Sequence, residues 1–159
     1  MTRLPSLGPR GEGWVALQVV LFALIVVAGL VGAEAWDGTL AVATFLAGLV
    51  LMAAGLLLLG TGLLALGRDL TPMPRPRAQA QLVQSGAYAR VRHPIYGGII
   101  ALAFGWGLLA ASPAALVLSA VLAGFFDLKS RREEAWLVEH DDGYAHYMLR
   151  TRRFFPRLY

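Results

Sequence analysis

From Thr39 to Gly67 the chain runs for 29 residues without one charged side chain. At about 1.5 Å per residue, a helix of that length outruns a hydrocarbon core of about 30 Å. Such a helix tilts or pushes its ends among the headgroups. Within lipid a backbone must satisfy its own hydrogen bonds, and a helix does so. Trp14 to Ala33 is a second run of spanning length, with Gln18 as its one strongly polar side chain. Ile95 to Ala111 and Ala114 to Phe126 are shorter runs joined by Ser112-Pro113, which predicts a tight helical hairpin. The expectation is an all-α, polytopic membrane protein in one domain over 1–159. Its spans fall at about 14–33, 39–67, 95–111 and 114–127, with a loop over 68–93 and a helical tail over 128–159.

Charge sets the topology. Arg3 and Arg10 precede the first run, and Arg68, Arg75, Arg77, Arg90 and Arg92 lie between the second and third. Lys129, Arg131, Arg132, Arg150, Arg152, Arg153 and Arg157 follow the fourth. The connection between the first two runs carries only Glu34 and Asp37. Four spans with both termini in the cytoplasm put every positive charge inside. Ala33-Glu34-Ala35 has the small residues of a cleavage site, but the apolar run before it exceeds the roughly 7–15 residues of a signal peptide, so a retained helix is expected. The net charge of +4 would suit nucleic acid, but the basic residues flank apolar runs, which favours a membrane surface. Only 15% of residues are charged, against about 25% in an average soluble domain. With no cysteine, the chain has no disulfide, thiolate ligand or thiol nucleophile.

Three polar places could carry chemistry. The first is Gly86-Ala87-Tyr88-Ala89-Arg90-Val91-Arg92-His93-Pro94-Ile95-Tyr96-Gly97-Gly98. Pro94 suits the first turn of a helix, which puts Arg92 and His93 at a helix N-terminus, a place attractive to a carboxylate or phosphate. Gly97 and Gly98 would let a ligand or a second helix approach the backbone. Gly97, Ala101 and Gly105 form a small-residue stripe better read as helix packing. The second place is Lys129-Ser130-Arg131-Arg132-Glu133-Glu134, which alone reads as a solvated helix with i, i+4 pairs. The third is Tyr144-Ala145-His146-Tyr147 with the Arg-rich stretch to Pro156, which alone reads as a lipid-binding tail. His93, His140 and His146 are the only histidines, and no spacing suggests a metal site.

In their order these places resemble the isoprenylcysteine carboxyl methyltransferase and phospholipid methyltransferase superfamily of integral membrane enzymes. The likeness rests on Gly86-Ala87-Tyr88, Val91-Arg92-His93-Pro94-Ile95-Tyr96-Gly97, Glu133-Glu134 with Leu137, Tyr144 and Tyr147, and Pro156, over roughly residues 68–157. Lys129 stands where many members carry Arg, and Asp141-Asp142-Gly143 replaces a Phe-Gly pair.

The resemblance implies S-adenosylmethionine as methyl donor, a lipophilic acceptor, and residence in the cell's inner membrane among membrane lipids. It implies cofactor binding by Tyr88, Arg92, His93, Tyr96, Gly97, Gly98, Glu133, Glu134, Tyr144 and Tyr147. Arg131 or Arg132 would position a carboxylate acceptor, and Glu134 would deprotonate an amine. Membrane reductases that bind NADPH share this architecture and are one alternative. A non-enzymatic lipid-binding subunit is another. The scheme requires the His93-Pro94 turn and the Glu133-Glu134 pair to meet in one pocket.

Overall fold

The computed structural model describes residues 5–32, 34, 36–67, 70–75 and 82–156. Arg3, Arg68, Arg77, Arg157 and the alanines of the possible cleavage site lie outside them, as does part of the expected 68–93 loop. The described chain is helical: α1 (Glu12–Val31), α2 (Gly38–Leu66), a 3-10 turn (Gly86–Ala89), α3 (Pro94–Leu109), α4 (Pro113–His140) and α5 (Tyr144–Arg150). Helices α1, α2 and α4 are long and apolar enough to cross a membrane. At 16 residues α3 reaches about 24 Å, less than the hydrocarbon thickness.

The expected hairpin is present. Ser112 caps α4, its Oγ accepting from the Ala115 N–H at 3.2 Å, and Pro113 occupies the first turn, where its missing N–H costs nothing. The same hydroxyl donates to the Ala28 carbonyl of α1 at 2.8 Å. The Trp106 indole N–H donates to Ile25 O at 3.2 Å, with its ring over Gly29. These bonds fix one end of α1 against the hairpin. Past residue 127, α4 continues into its charged extension, as the sequence implied.

Helices α2 and α3 touch backbone to backbone. Gly48, Gly55 and Gly62 recur every seventh residue on α2 and are its buried positions. A Cβ on Gly55 would lie 2.8 Å from Gly98 O, and one on Gly98 would lie 2.6 Å from Leu59 N. Gly48 meets Gly105 in the same way, and Gly62 meets Pro94 and Ile95. Small residues permit such an approach in lipid, where apolar burial does not separate helix contact from lipid contact. The seam therefore holds the His93-Pro94 turn at a fixed height on α2. Helix α1 packs on α4 and α3, and α2 packs on α3.

Candidate active site

The last described segment pairs with the turn that opens α3. Arg92 N–H donates to Arg152 O at 2.8 Å, His93 N–H to Arg153 O at 2.9 Å, and Arg152 N–H to Arg90 O at 3.0 Å. Val91 and Arg152 form a parallel bridge. The 3-10 turn before it carries Tyr88 inward, and the Tyr147 hydroxyl donates to Tyr88 O at 2.6 Å. Tyr147→Phe orphans that buried carbonyl. It should cost about 1–2 kcal/mol, read as a lowered melting temperature in detergent.

Glu134 is the centre of an ion cluster. Its carboxylate accepts from Arg92 Nε at 2.7 Å, Arg153 Nη2 at 2.8 Å and His93 Nε2 at 3.2 Å. A carboxylate only accepts, so His93 carries its hydrogen on Nε2. Arg92 Nη1 reaches the carbonyls of Met148 and Thr151 at the end of α5, while Arg153 Nη1 donates to Asp127 at 2.7 Å. Burial pushes the Glu134 carboxyl up, but the hydrogen bonds of His93, Arg153 and Arg92 outweigh it and hold it well below the usual carboxylate range. The His93-Pro94 turn, the Glu pair and the tail thus meet at one end of the bundle.

A cavity of about 330 Å³ lies beside this cluster, within the range of ligand sites. Tyr88, Tyr96, Tyr144 and Tyr147 line it, with Glu133, Lys129, Arg92 and His93. Glu133 is the carboxylate on the wall. The Tyr96 hydroxyl donates to it at 2.8 Å, and its side chain keeps 23% exposure. Burial raises the Tyr147 hydroxyl to about 12 and carries Tyr88 and Tyr144 higher, so these tyrosines are neutral donors at working pH. The rings of His93 and Tyr96 stack, as do those of Tyr96 and Phe126. Leu66, Ile95 and Ile99 make the wall apolar toward the spans.

Not all of the expected site residues face the cavity. The N–H groups of Arg92 and His93 serve the tail and their side chains serve Glu134, so the turn is not an open anion site. Glu134 is behind the wall, its carboxylate engaged by Arg92, His93 and Arg153. Gly97 and Gly98 make room for Phe154 O, Leu58 and the α2 backbone and lie off the cavity wall. Arg131 is half exposed and pairs with Asp127 at 2.8 Å. Arg132 lies on the Trp136 ring at 4.1 Å. Neither arginine reaches the cavity.

Sequence reasoning passed over other wall residues. Gln18 reaches in from α1, and Leu70 to Pro74 cover one side. Lys129 is 1% exposed, and its Nζ donates to Gln18 Oε1 at 2.6 Å. The clue to Gln18 was a lone amide in an apolar span, which is costly unless partnered. The clue to Lys129 is compositional: of fourteen Lys and Arg residues, thirteen are Arg.

Comparison with individual curated proteins yields no match. The family model for phospholipid methyltransferase matches residues 43–140, from α2 to the end of α4. That match spans more than half of the chain and takes in the turn, the hairpin and the Glu pair, so the chain belongs to the phospholipid methyltransferase family, a family of membrane methyltransferases.

Proposed function

We propose that the chain transfers a methyl group from S-adenosylmethionine to a lipophilic acceptor at the cytoplasmic face of the inner membrane. The observation that carries this reading is the make-up of one cavity: a carboxylate and tyrosine rings at its polar end, and aliphatic side chains where it meets the spans.

The donor set fits the cofactor. Glu133 offers its carboxylate to the ammonium and sulfonium charges or to the ribose hydroxyls. Tyr88, Tyr144 and Tyr147 offer ring faces to adenine or to the sulfonium. When bound, S-adenosylmethionine supplies an electrophilic methyl carbon. Glu134, Arg92, His93 and Arg153 hold the α3 turn and the tail rigid around it. Proximity and alignment of this kind can remove about 7–11 kcal/mol from a barrier.

Leu66 at the end of α2 and Ile95 and Ile99 of α3 give the cavity an apolar side, which supports entry of the acceptor from the bilayer. Four spans with both termini cytoplasmic keep the basic segments with the cavity on one face.

Calorimetry on purified protein in detergent tests the reading. Saturable S-adenosylmethionine binding is expected, and its absence overturns the scheme. Glu133→Gln removes the charge and should weaken binding by about 10–100-fold, the equivalent of about 1.5–3 kcal/mol. Arg131→Ala, off the cavity wall, should leave it unchanged.

A further inference from the structure

Lysine is almost never fully buried without a charge partner. The chain's one lysine is fully buried, at the edge of the candidate cavity. Among the described residues no carboxylate lies within 4.0 Å of its Nζ, although four arginine–carboxylate pairs form nearby. Among the described residues its hydrogen-bond partners are two acceptors: Gln18 Oε1 at 2.6 Å and, in a longer contact, Pro72 O at 3.5 Å. Aromatic rings bound it elsewhere, Tyr96 at 5.1 Å and Phe126 at 6.0 Å.

A neutral amine has two N–H donors and one lone pair, whereas an ammonium has three donors and none. The two acceptors found among the described residues match the two N–H donors of the neutral form. We propose that Lys129 is the general base of the reaction, taking a proton from an amine-bearing lipid acceptor, with Gln18 as its positioning residue. This rests on the methyl-transfer reading above.

The step balances. The acceptor arrives as R–NH3+, and Nζ takes one proton to give R–NH2 and a Lys129 ammonium. The nitrogen lone pair attacks the methyl carbon of the sulfonium donor. An N–C bond forms, and the C–S bond breaks with its electron pair left on sulfur. The product leaves as R–NH2(+)–CH3 with a neutral thioether, and Lys129 returns its proton to water.

The surroundings support both states of the amine. Burial lowers Lys129 to about 8 and Glu133 partly opposes the shift, which suits a base working near neutrality. Among the described residues the titratable groups facing it are Glu133 on its own helix and Tyr96 on α3, with His93 stacked on Tyr96. Helix α1 presents the Gln18 amide and the 70–75 segment presents the Pro72 carbonyl, neither of which titrates. The ring faces and Glu133 then favour the ammonium once it forms.

Because the chain has one lysine, protein labelled with [13Cε]lysine gives a single resonance to titrate in detergent without any ligand. The midpoint expected is near 8, and Gln18→Leu should move it. A midpoint at the ordinary value of about 10.4 overturns the proposal.

With phosphatidylethanolamine in mixed micelles as acceptor, kcat/KM should climb with pH through the same midpoint. Lys129→Met and Lys129→Arg should both lose about 100-fold or more and both lose the midpoint, while binding S-adenosylmethionine as the wild type does. Near-normal turnover by Lys129→Arg overturns the proposal in favour of a cation that holds an anionic group. A preference for the carboxylate acceptor N-acetyl-S-farnesylcysteine does the same. Failure of the wild type to bind S-adenosylmethionine counts against the proposed function instead, and the lysine resonance still decides the state of Lys129.

Discussion

Glu134→Gln should yield a protein about 3 kcal/mol less stable that no longer binds S-adenosylmethionine. The substitution keeps the shape and one acceptor but removes the charge that three cationic or donating groups share. Arg92, Arg153 and His93 are then left in a setting where Glu134 itself is only 4% exposed. Breaking a buried pair by removing one partner costs about 3–5 kcal/mol, because the other charge remains without compensation. For a chain of this size that means a melting temperature lower by roughly 10 °C. The loss of binding follows from position. Arg92 ties the cluster to the end of α5, and Arg153 ties it to the tail, so both the Tyr144–Tyr147 wall and the α3 turn lose their anchor.

The pH dependence has a definite sign. The folded-state carboxyl lies below its unfolded value of about 4.3. Its stabilisation is complete above that value and is lost as pH falls through the lower, folded value. The stability gap between wild type and Glu134→Gln should therefore persist at neutral pH and close only in strong acid. Arg131→Ala is the control, since its exposed i, i+4 pair should cost no more than about 0.5 kcal/mol. A Glu134→Gln protein that melts and binds like the wild type would sink this account of the site.

The part of the site legible in the sequence is the part written in contiguous motifs. Pro94 at a first helical turn, the Ser112-Pro113 hairpin and the charged continuation of α4 each follow from local rules. The meeting of Arg92 and His93 with Glu134 follows once the hairpin is drawn, because antiparallel neighbours bring the start of α3 beside the end of α4. What could not be read is which acid faces the ligand. Glu133 and Glu134 are adjacent in sequence and about 100° apart on a helix. One points to the cavity and the other to the tail, and only the tail's course decides between them. That course depends on backbone pairing of Arg90 to His93 with Arg152 and Arg153, across some sixty residues and without a sequence signature. Gln18 and Lys129 depend in turn on where α1 docks, which Trp106, Gly29 and Ser112 settle from the far end of the bundle.

The seam between α2 and α3 should be the least tolerant place in the chain. At Gly98 an added Cβ meets Leu59 N at 2.6 Å, with Gly55 O and Leu59 Cβ at 2.8 Å. Two of these three are backbone atoms, so no rotamer change can relieve the contact. Gly98→Ala must push the helices apart, and overpacking of this kind costs about 1–3 kcal/mol. Gly98→Leu should not fold at all, leaving no monodisperse peak on size exclusion in detergent. The heptad of Gly48, Gly55 and Gly62 means that separation at one point lifts the seam on either side. Gly62 lies against Pro94, so the shift reaches the His93 turn and the cavity. Gly98→Ala should therefore weaken S-adenosylmethionine binding although Gly98 lies off the cavity wall. Gly60 and Gly124 are helical glycines with nothing within 4 Å of an added Cβ. Alanine at either should leave binding unchanged and leave stability equal or higher by up to about 1 kcal/mol. Equal tolerance of alanine at positions 60, 98 and 124 would mean that close helix contact does not set the height of the turn.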